Sequence, residues 1–520
     1  MRKSASGASL EPHGRGLGAV VMAAGLGTRM KSKRVKVLHP VAGRPMVLYA
    51  VELAMKLAAH RIVVVVGHQA EDVRRIVGEA VKGRAGGDAV VLVEQTRQLG
   101  TGHAVLQSRS AFVNGGKGLS EFLILNGDTP LLTEQTVREL LRVHHEEKAT
   151  VTMLTAQVDD PTGYGRVVRR ESGDKRTPLS TGDVLKIVED RDATPAERAI
   201  KEINVGTYVV SADFLFPALD QLEPRNAQGE YYLTDIVAAA VAQRRSVAAV
   251  PLHVPEEGLG VNTRRQLAEA ERTIRRRIRD RWLEDGVTMV DPDSVRIDAD
   301  VLIGQDTVLH PNVMIEGKTE IGEDCIVRSH VRLTDCHVGN RVEILDHCVL
   351  RESLIEDDVV IGPFAHLRPG ALVRRKAKVG NFVEMKKTEL GEEAKANHLS
   401  YLGDAKIGRG VNIGAGTITC NYDGVHKYQT TIGDHVFIGS DTQLVAPVSV
   451  GDGAVIAAGT TVTKDVPPDA LAIARTPQEN RAGWAMKRRL MVERNSTAVQ
   501  GALEGGATIN PASPSKGRRR

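Results

Sequence analysis

From Ile297 onward apolar residues recur at every sixth position: Ile297, Ile303, Leu309, Ile315, Ile321, Val327 and Leu333. The phase slips by one residue and resumes at Val338, Ile344 and Leu350, then again at Ile355, Ile361, Leu367, Val373, Val379 and Met385. It continues through Leu390, Ala396 and Leu402, then Ile407 and Ile413, and finally from Ile432 to Val462. Neither the 3.6-residue helix nor the two-residue strand repeats in this way. A hexapeptide that lines one face of a triangular prism does, and three of them make a coil of about eighteen residues. Stacked ~4.8 Å apart like neighbouring strands, such coils predict about nine turns and a rod some ~40 Å long. Across "CNYDGVHKYQTT" (420–431) the phase is lost, and a stretch this polar predicts a projecting loop.

The N-terminal half follows a different rule. From Leu17 to about Gln157 the runs "AVVMAA", "RIVVVVG", "VVLVEQ", "FLILNGD" and "ATVTMLTA" alternate with helical patterns such as "MVLYAVELAMKLAA", "EDVRRIVGEAV" and "EQTVRELLRVHH". Strands without polar alternation are buried on both faces, so a mainly parallel α/β sheet is expected, with its ligand beyond the carboxyl ends of the strands. The polar segment "ESGDKRTPLSTGD" predicts a surface excursion. Thr263, with Gln266 three residues on, reads as a capping box that opens a charged connecting helix. At 520 residues the chain exceeds one core. A net charge of +4 gives no indication of a nucleic-acid partner, and "RRRIRDR" and "KGRRR" read as a solvated helix face and a tail. The N-terminus has no apolar signal core and no run approaches a membrane span, so a cytoplasmic protein without a membrane partner is expected. Cys325, Cys336, Cys348 and Cys420 lack metal-ligand spacing and read as core thiols.

Chemistry enters at "VVMAAGLGTRMKSKRVKVLH" (20–39), where an apolar strand runs into a glycine turn followed by basic residues, the usual make-up of a phosphate-holding loop. The P-loop is excluded, because Gly25 and Gly27 are followed by Thr28, Arg29 and Met30 rather than Gly-Lys-Ser/Thr. The dinucleotide fingerprint is excluded by Met30 in the place of its third glycine. Arg29 and Lys36 remain as charges for a ligand's phosphates, and Asp128, at a strand end, suits a magnesium ion that takes one or two protein oxygens.

Two motif sets meet in this chain. "MAAGLGTRM" with Lys36, "LGTGHA", "NGD", "PTGYGR", "VED", "EINVGTY" and "GVN" resemble sugar-1-phosphate nucleotidyltransferases. "LRPG", "GNFVEMKK", "NHLSYLGD", "NIGAGTITCNYDG" and "GSDTQLVAP" resemble the left-handed β-helix acyltransferases. Together, over about residues 17 to 480, they resemble the bifunctional family that makes UDP-N-acetylglucosamine. The implied fold is a Rossmann-like nucleotidyltransferase domain followed by a left-handed parallel β-helix of hexapeptide repeats. The implied chemistry is acetyl transfer from acetyl-CoA to glucosamine-1-phosphate, then uridylyl transfer from UTP to N-acetylglucosamine-1-phosphate with Mg²⁺.

By that resemblance UDP-N-acetylglucosamine lies against Met22, Ala23, Ala24, Gly25, Lys36, Asn126, Gly127 and Asp128, with uracil on Gln95, Gly100 and Thr101. The sugar falls on Gly165, Glu189 and Asn204, and Asn262 joins Asp128 as the other metal ligand. In the second half His398 matches the base that takes the proton of the attacking amine, a task suited to imidazole. Arg368, Lys386, Tyr401, Asn412 and Lys427 match the sugar-phosphate contacts, with Glu384 a candidate to orient or polarise the amine. Ala415, Asn421, Tyr422, Ser440, Ala458 and Arg475 match acetyl-CoA contacts. One departure stands out: the family usually places proline before the lysine, and this chain has Val35.

The expected divisions are an extension (1–16), the nucleotidyltransferase domain (17–262), a linker helix (263–286), the β-helix (287–480) and a largely disordered tail (481–520). The resemblance implies a homotrimer with each acetyltransferase site built from neighbouring subunits, and Lys427 is expected to reach a phosphate held mainly by another chain. Two rivals remain: a single-function nucleotidyltransferase with an assembling or regulatory β-helix, and a non-catalytic scaffold. The first predicts loss of His398 and its phosphate set, the second erosion of Arg29, Lys36 and Asp128; all are present.

Overall fold

The computed structural model describes residues 16–25, 27–113, 118–170 and 184–504. The expected extension, apart from Gly16, and the surface excursion at 171–183 lie outside the described residues. Seven strands form the main path of the N-terminal sheet: β1 Gly16–Ala23, β2 Arg61–Val66, β3 Val90–Glu94, β4 Leu119–Asn126, β5 Val151–Gln157, β6 Glu202–Ser211 and β7 Val247–Pro251. Their order is β7-β5-β6-β4-β1-β2-β3, parallel except for β6, which runs antiparallel to β4 and β5. Ala19, Val21 and the Val63–Val66 run are fully buried, as two-sided cover by helices requires. The carboxyl ends of β1 and β4 lie side by side, so the glycine turn and Asp128 share one edge.

The helix Arg264–Glu284 begins with the expected capping box, in which the Thr263 hydroxyl accepts from the Gln266 N–H and the Gln266 side chain accepts in return. Ala270, Ile274, Ile278 and Trp282, spaced by four, form its buried stripe. That stripe enters one core with Val41, Ala42, Met46 and Leu131 of the first domain and with the β-helix interior.

Beyond the helix the chain winds as a three-walled parallel β-helix, with walls of 11, 10 and 9 strands. The hexad residues all face inward; Ile297, Leu309, Ile315 and Val327 are 0% exposed. The phase slips have a location. Each five-residue step, from Leu333, Leu350, Met385 and Leu402, rounds the corner between the second and third walls, on Asp335, Glu352, Lys387 or Asp404 with φ from 43 to 52°. The loop at 420–431 leaves from that same corner. Within the expected tail the structure places a helix at Trp484–Glu504, and residues 505–520 lie outside the described residues.

Candidate functional site

At the strand ends of the first domain a cavity of about 370 Å³ is lined by Met22, Ala23, Ala24, Gly25, Lys36, Gln95, Gly100, Thr101, Asn126 and Asp128. Gly127 closes its floor, donating its N–H to the Met22 carbonyl at 2.9 Å. The Asn126 amide donates to the carbonyls of Val205 and Gly206, both at 3.3 Å, tying β4 to β6. Gly206 has φ 82°, and a Cβ there would lie 2.6 Å from that amide nitrogen, so glycine is required. Lys36 Nζ forms an ion pair with Asp128 and donates to Asn262 Oδ1 at 2.9 Å. The oxygens of both expected metal ligands thus converge on a single cation.

Gly165, Glu189 and Asn204 gather on the far side. The Asn204 N–H donates to the Gly165 carbonyl at 2.8 Å, and Glu189 accepts from the Thr234 hydroxyl at 3.1 Å. Burial raises the Glu189 pKa; the Thr234 bond acts against this, while Asp235 and Asp192 add to it. Arg29 is exposed on the short turn Thr28–Met30. Tyr164, which the motif reading passed over, feels both Asp128 and Arg29: burial raises its pKa, Asp128 adds to this and Arg29 opposes it. Gln98 and Glu230, also unassigned from sequence, line the cavity as well. Gln98 directly precedes the "LGTGHA" motif and Glu230 follows Gly229, but a single polar residue beside a glycine has no spacing that marks a site.

Val35 shows how the usual proline is replaced. Its φ of −58° is a proline value, and its N–H, which proline would lack, donates to Gln69 Oε1 at 2.7 Å. Gln69 Nε2 donates to the Lys33 carbonyl at 2.9 Å, so one side chain clamps the segment that leads into Lys36.

On the β-helix, Arg368, Glu384, Lys386 and Tyr401 stand on neighbouring strands of the second wall, where Glu384 pairs with Tyr401 and Met385 with Leu402. Arg368 donates to Glu384 Oε1 at 2.8 Å. Lys386 has a lowered pKa because the Lys427 ammonium meets it, with Arg368 adding to the effect and Asp404 opposing it. Three cations with no matching number of carboxylates make a place for a dianion. The loop folds back through a bridge between Tyr422 and Lys427, which sets Lys427 beside Lys386 of its own chain.

His398 stands at the corner between the first and second walls, with Nδ1 2.8 Å from Asn381 Oδ1. An amide oxygen only accepts, so Nδ1 is the donor here, and in the neutral ring Nε2 is then the acceptor. The same corner carries Ala415, Ser440 and Ala458 in register: the Asp441 N–H donates to the Ala415 carbonyl and the Gly459 N–H to the Ser440 carbonyl. Arg475 joins them through the Ala458 carbonyl at 2.8 Å. Two groups are not brought together. Asn412 lies on the first wall, between Lys395 and Phe437, away from the cations of the second. Asn421 and Tyr422 lie at the opposite corner, where Asn421 donates to Asp404 at 2.6 Å.

Residues 18–254 match the nucleotidyl transferase family, 293–388 the GMPPB C-terminal domain, and 429–464 the bacterial transferase hexapeptide repeats. Fold and sites therefore define a nucleotidyltransferase joined to a hexapeptide-repeat acyltransferase. Proteins named bifunctional protein GlmU are similar along nearly their whole length. That of Trichlorobacter lovleyi is 50% identical over 91% of this chain and 98% of its own; those of Pelobacter propionicus and Listeria innocua are 52% and 48% identical over 90% of this chain, and over 98% and 97% of their own lengths. The chain belongs to the bifunctional GlmU family, and it is a transferase of UDP-N-acetylglucosamine synthesis that carries out both acetyl and uridylyl transfer.

Proposed function

We propose that the two reactions are divided between the two sites as follows. At the strand-end cavity, an N-acetylglucosamine-1-phosphate oxygen attacks the α-phosphorus of UTP and the bond to pyrophosphate breaks. Positioning and charge neutralisation dominate such a step. Backbone amides of the glycine turn and the Lys36 ammonium hold the triphosphate, and Arg29 covers the charge growing on the leaving pyrophosphate. Asp128 and Asn262 are the residues that would hold Mg²⁺, since their two oxygens already meet on one cation. Two protein oxygens suit an ion whose remaining ligands would be substrate phosphate and water. When bound, the ion supplies Lewis-acid neutralisation of the phosphates.

At the β-helix, Arg368, Lys386 and Lys427 hold the phosphate of glucosamine-1-phosphate. His398 Nε2 takes the amine proton as nitrogen bonds to the thioester carbon, and the coenzyme A thiolate leaves with a proton returned to it. Asn412 reaches the sugar from a neighbouring copy in a homotrimer. Its separation from the cations, across the corner where His398 stands, supports this reading. Among the described residues no helix is long and apolar enough to cross a membrane, in keeping with work on water-soluble substrates in the cytoplasm.

The observation that carries the first assignment is the convergence of Asp128 and Asn262 on a single cation. EDTA is therefore expected to stop pyrophosphate release from UTP and leave thiol release from acetyl-CoA untouched. Equal loss of both from folded protein would count against the metal site.

A further inference from the structure

Beside the base-binding residues, His103 is half-buried at the start of the helix Thr101–Gln107, and no role falls to it from the motif reading. Gln95 Nε2 lies 3.1 Å from the Gly100 carbonyl oxygen and 2.9 Å from His103 Nδ1. A carbonyl can only accept, so the Gln95 amide must turn its nitrogen this way. One N–H goes to Gly100 and the other to His103, whose Nδ1 is then the acceptor. With Nδ1 accepting, the proton of the neutral ring sits on Nε2, and burial, which lowers the His103 pKa against the opposing Arg97 backbone, favours that neutral form. The Gln107 amide nitrogen lies 3.2 Å from Nε2 and 3.5 Å from the His103 carbonyl; a neutral ring cannot accept at both nitrogens, and the shorter Gln95–Gly100 bond fixes Gln95, so Gln107 is the amide that turns its oxygen to Nε2.

Both N–H groups of Gln95 are thereby used. Its Oε1 meets no donor among the described residues, and Gln95 lines the nucleotide cavity. What Gln95 offers the base is therefore an acceptor and nothing else. Uracil carries a donor at N3; cytosine carries a lone pair there. We propose that His103 is a positioning residue for nucleotide choice, locking Gln95 so that only a base with an N3–H is accepted. This rests on the assignment of uracil to Gln95 made above, and it adds the residue that enforces the choice.

The test compares kcat/KM for UTP and CTP in wild type, His103→Leu and His103→Asn, with acetyl transfer by the same samples reporting that the protein is folded. Leucine frees one N–H of Gln95 and lets the amide turn, so the UTP preference is expected to fall about tenfold or more, chiefly through a higher KM for UTP. Asparagine presents its Oδ1 near the place of Nδ1 and is expected to restore the preference. If His103→Leu turns over neither nucleotide, equilibrium binding of UTP and CTP reads the same ratio. A wild type that takes CTP as readily as UTP overturns the base assignment itself. A wild type that prefers UTP, with an unchanged ratio in His103→Leu, overturns the role of His103 alone.

Discussion

A single side chain, Gln69, takes over at Val35 what the ring of proline would otherwise do. The buried Val35 N–H has Gln69 as its partner, and Gln69→Leu leaves it without one, at a cost of about 1–3 kcal/mol. A lower melting temperature of the first domain and a higher KM for UTP are expected, read by thermal unfolding and pyrophosphate release. Adding Val35→Pro removes the orphaned donor at a φ that proline favours, so the double variant is expected to recover stability. No recovery would place the effect of Gln69 elsewhere. Glu189 supplies a pH dependence. Burial raises its folded-state pKa above the ordinary 4.5, so its contribution to stability is present below 4.5 and is lost as pH rises through the raised value. Glu189→Gln mimics the protonated form. Its melting temperature is expected to match wild type near about pH 4 and exceed it by about pH 8. A gain that is constant with pH would exclude ionisation as the cause.

Among the elements, the β-helix corners organise the second site. At the first corner a left-handed residue stands in every coil from Asn312 to Gly459, and four of them stack as rings: His330 on His347 at 4.8 Å, His347 on Phe364 at 4.9 Å, and Phe364 on Phe382 at 5.2 Å. His398 and four of the expected acetyl-CoA contacts, Ala415, Ser440, Ala458 and Arg475, continue along the same corner. The outward faces of the two walls that meet there point away from each other, so Asn412 and Lys386 of one chain cannot grip one sugar phosphate. Asn412→Ala and Lys386→Ala proteins, each expected to be inactive in acetyl transfer, should regain activity when co-refolded. With random pairing of neighbours about a quarter of the sites would hold both residues. Zero recovery in verified mixed trimers, or full activity in a monomer, would refute the shared site.

In the whole molecule the domains are joined through one hydrophobic core, yet the proposed chemistry of each uses separate residues. Arg275 reinforces the joint, donating to the Ile297 carbonyl and to Asp298, each at 2.9 Å. Asp128→Ala is expected to abolish pyrophosphate release and spare acetyl transfer, with His398→Ala doing the reverse. Neither residue belongs to the shared core, so loss of both activities from a folded variant would contradict the two-site division.

The six-residue period, the buried parallel strands and the capping box were legible in the sequence because each is a local pattern, set by which residues must face inward or satisfy a backbone donor. The family was legible too, from motifs that keep their order along the chain. Only the tertiary structure decided where the phase slips fall, since corner geometry depends on the coils stacked above and below. It alone placed Lys427 beside Lys386, Gln69 on Val35 and His103 on Gln95. These contacts join residues on separate elements or across a loop, and their partners are selected by which atoms the fold brings within hydrogen-bond or Coulomb range, a relation that no spacing along the chain encodes.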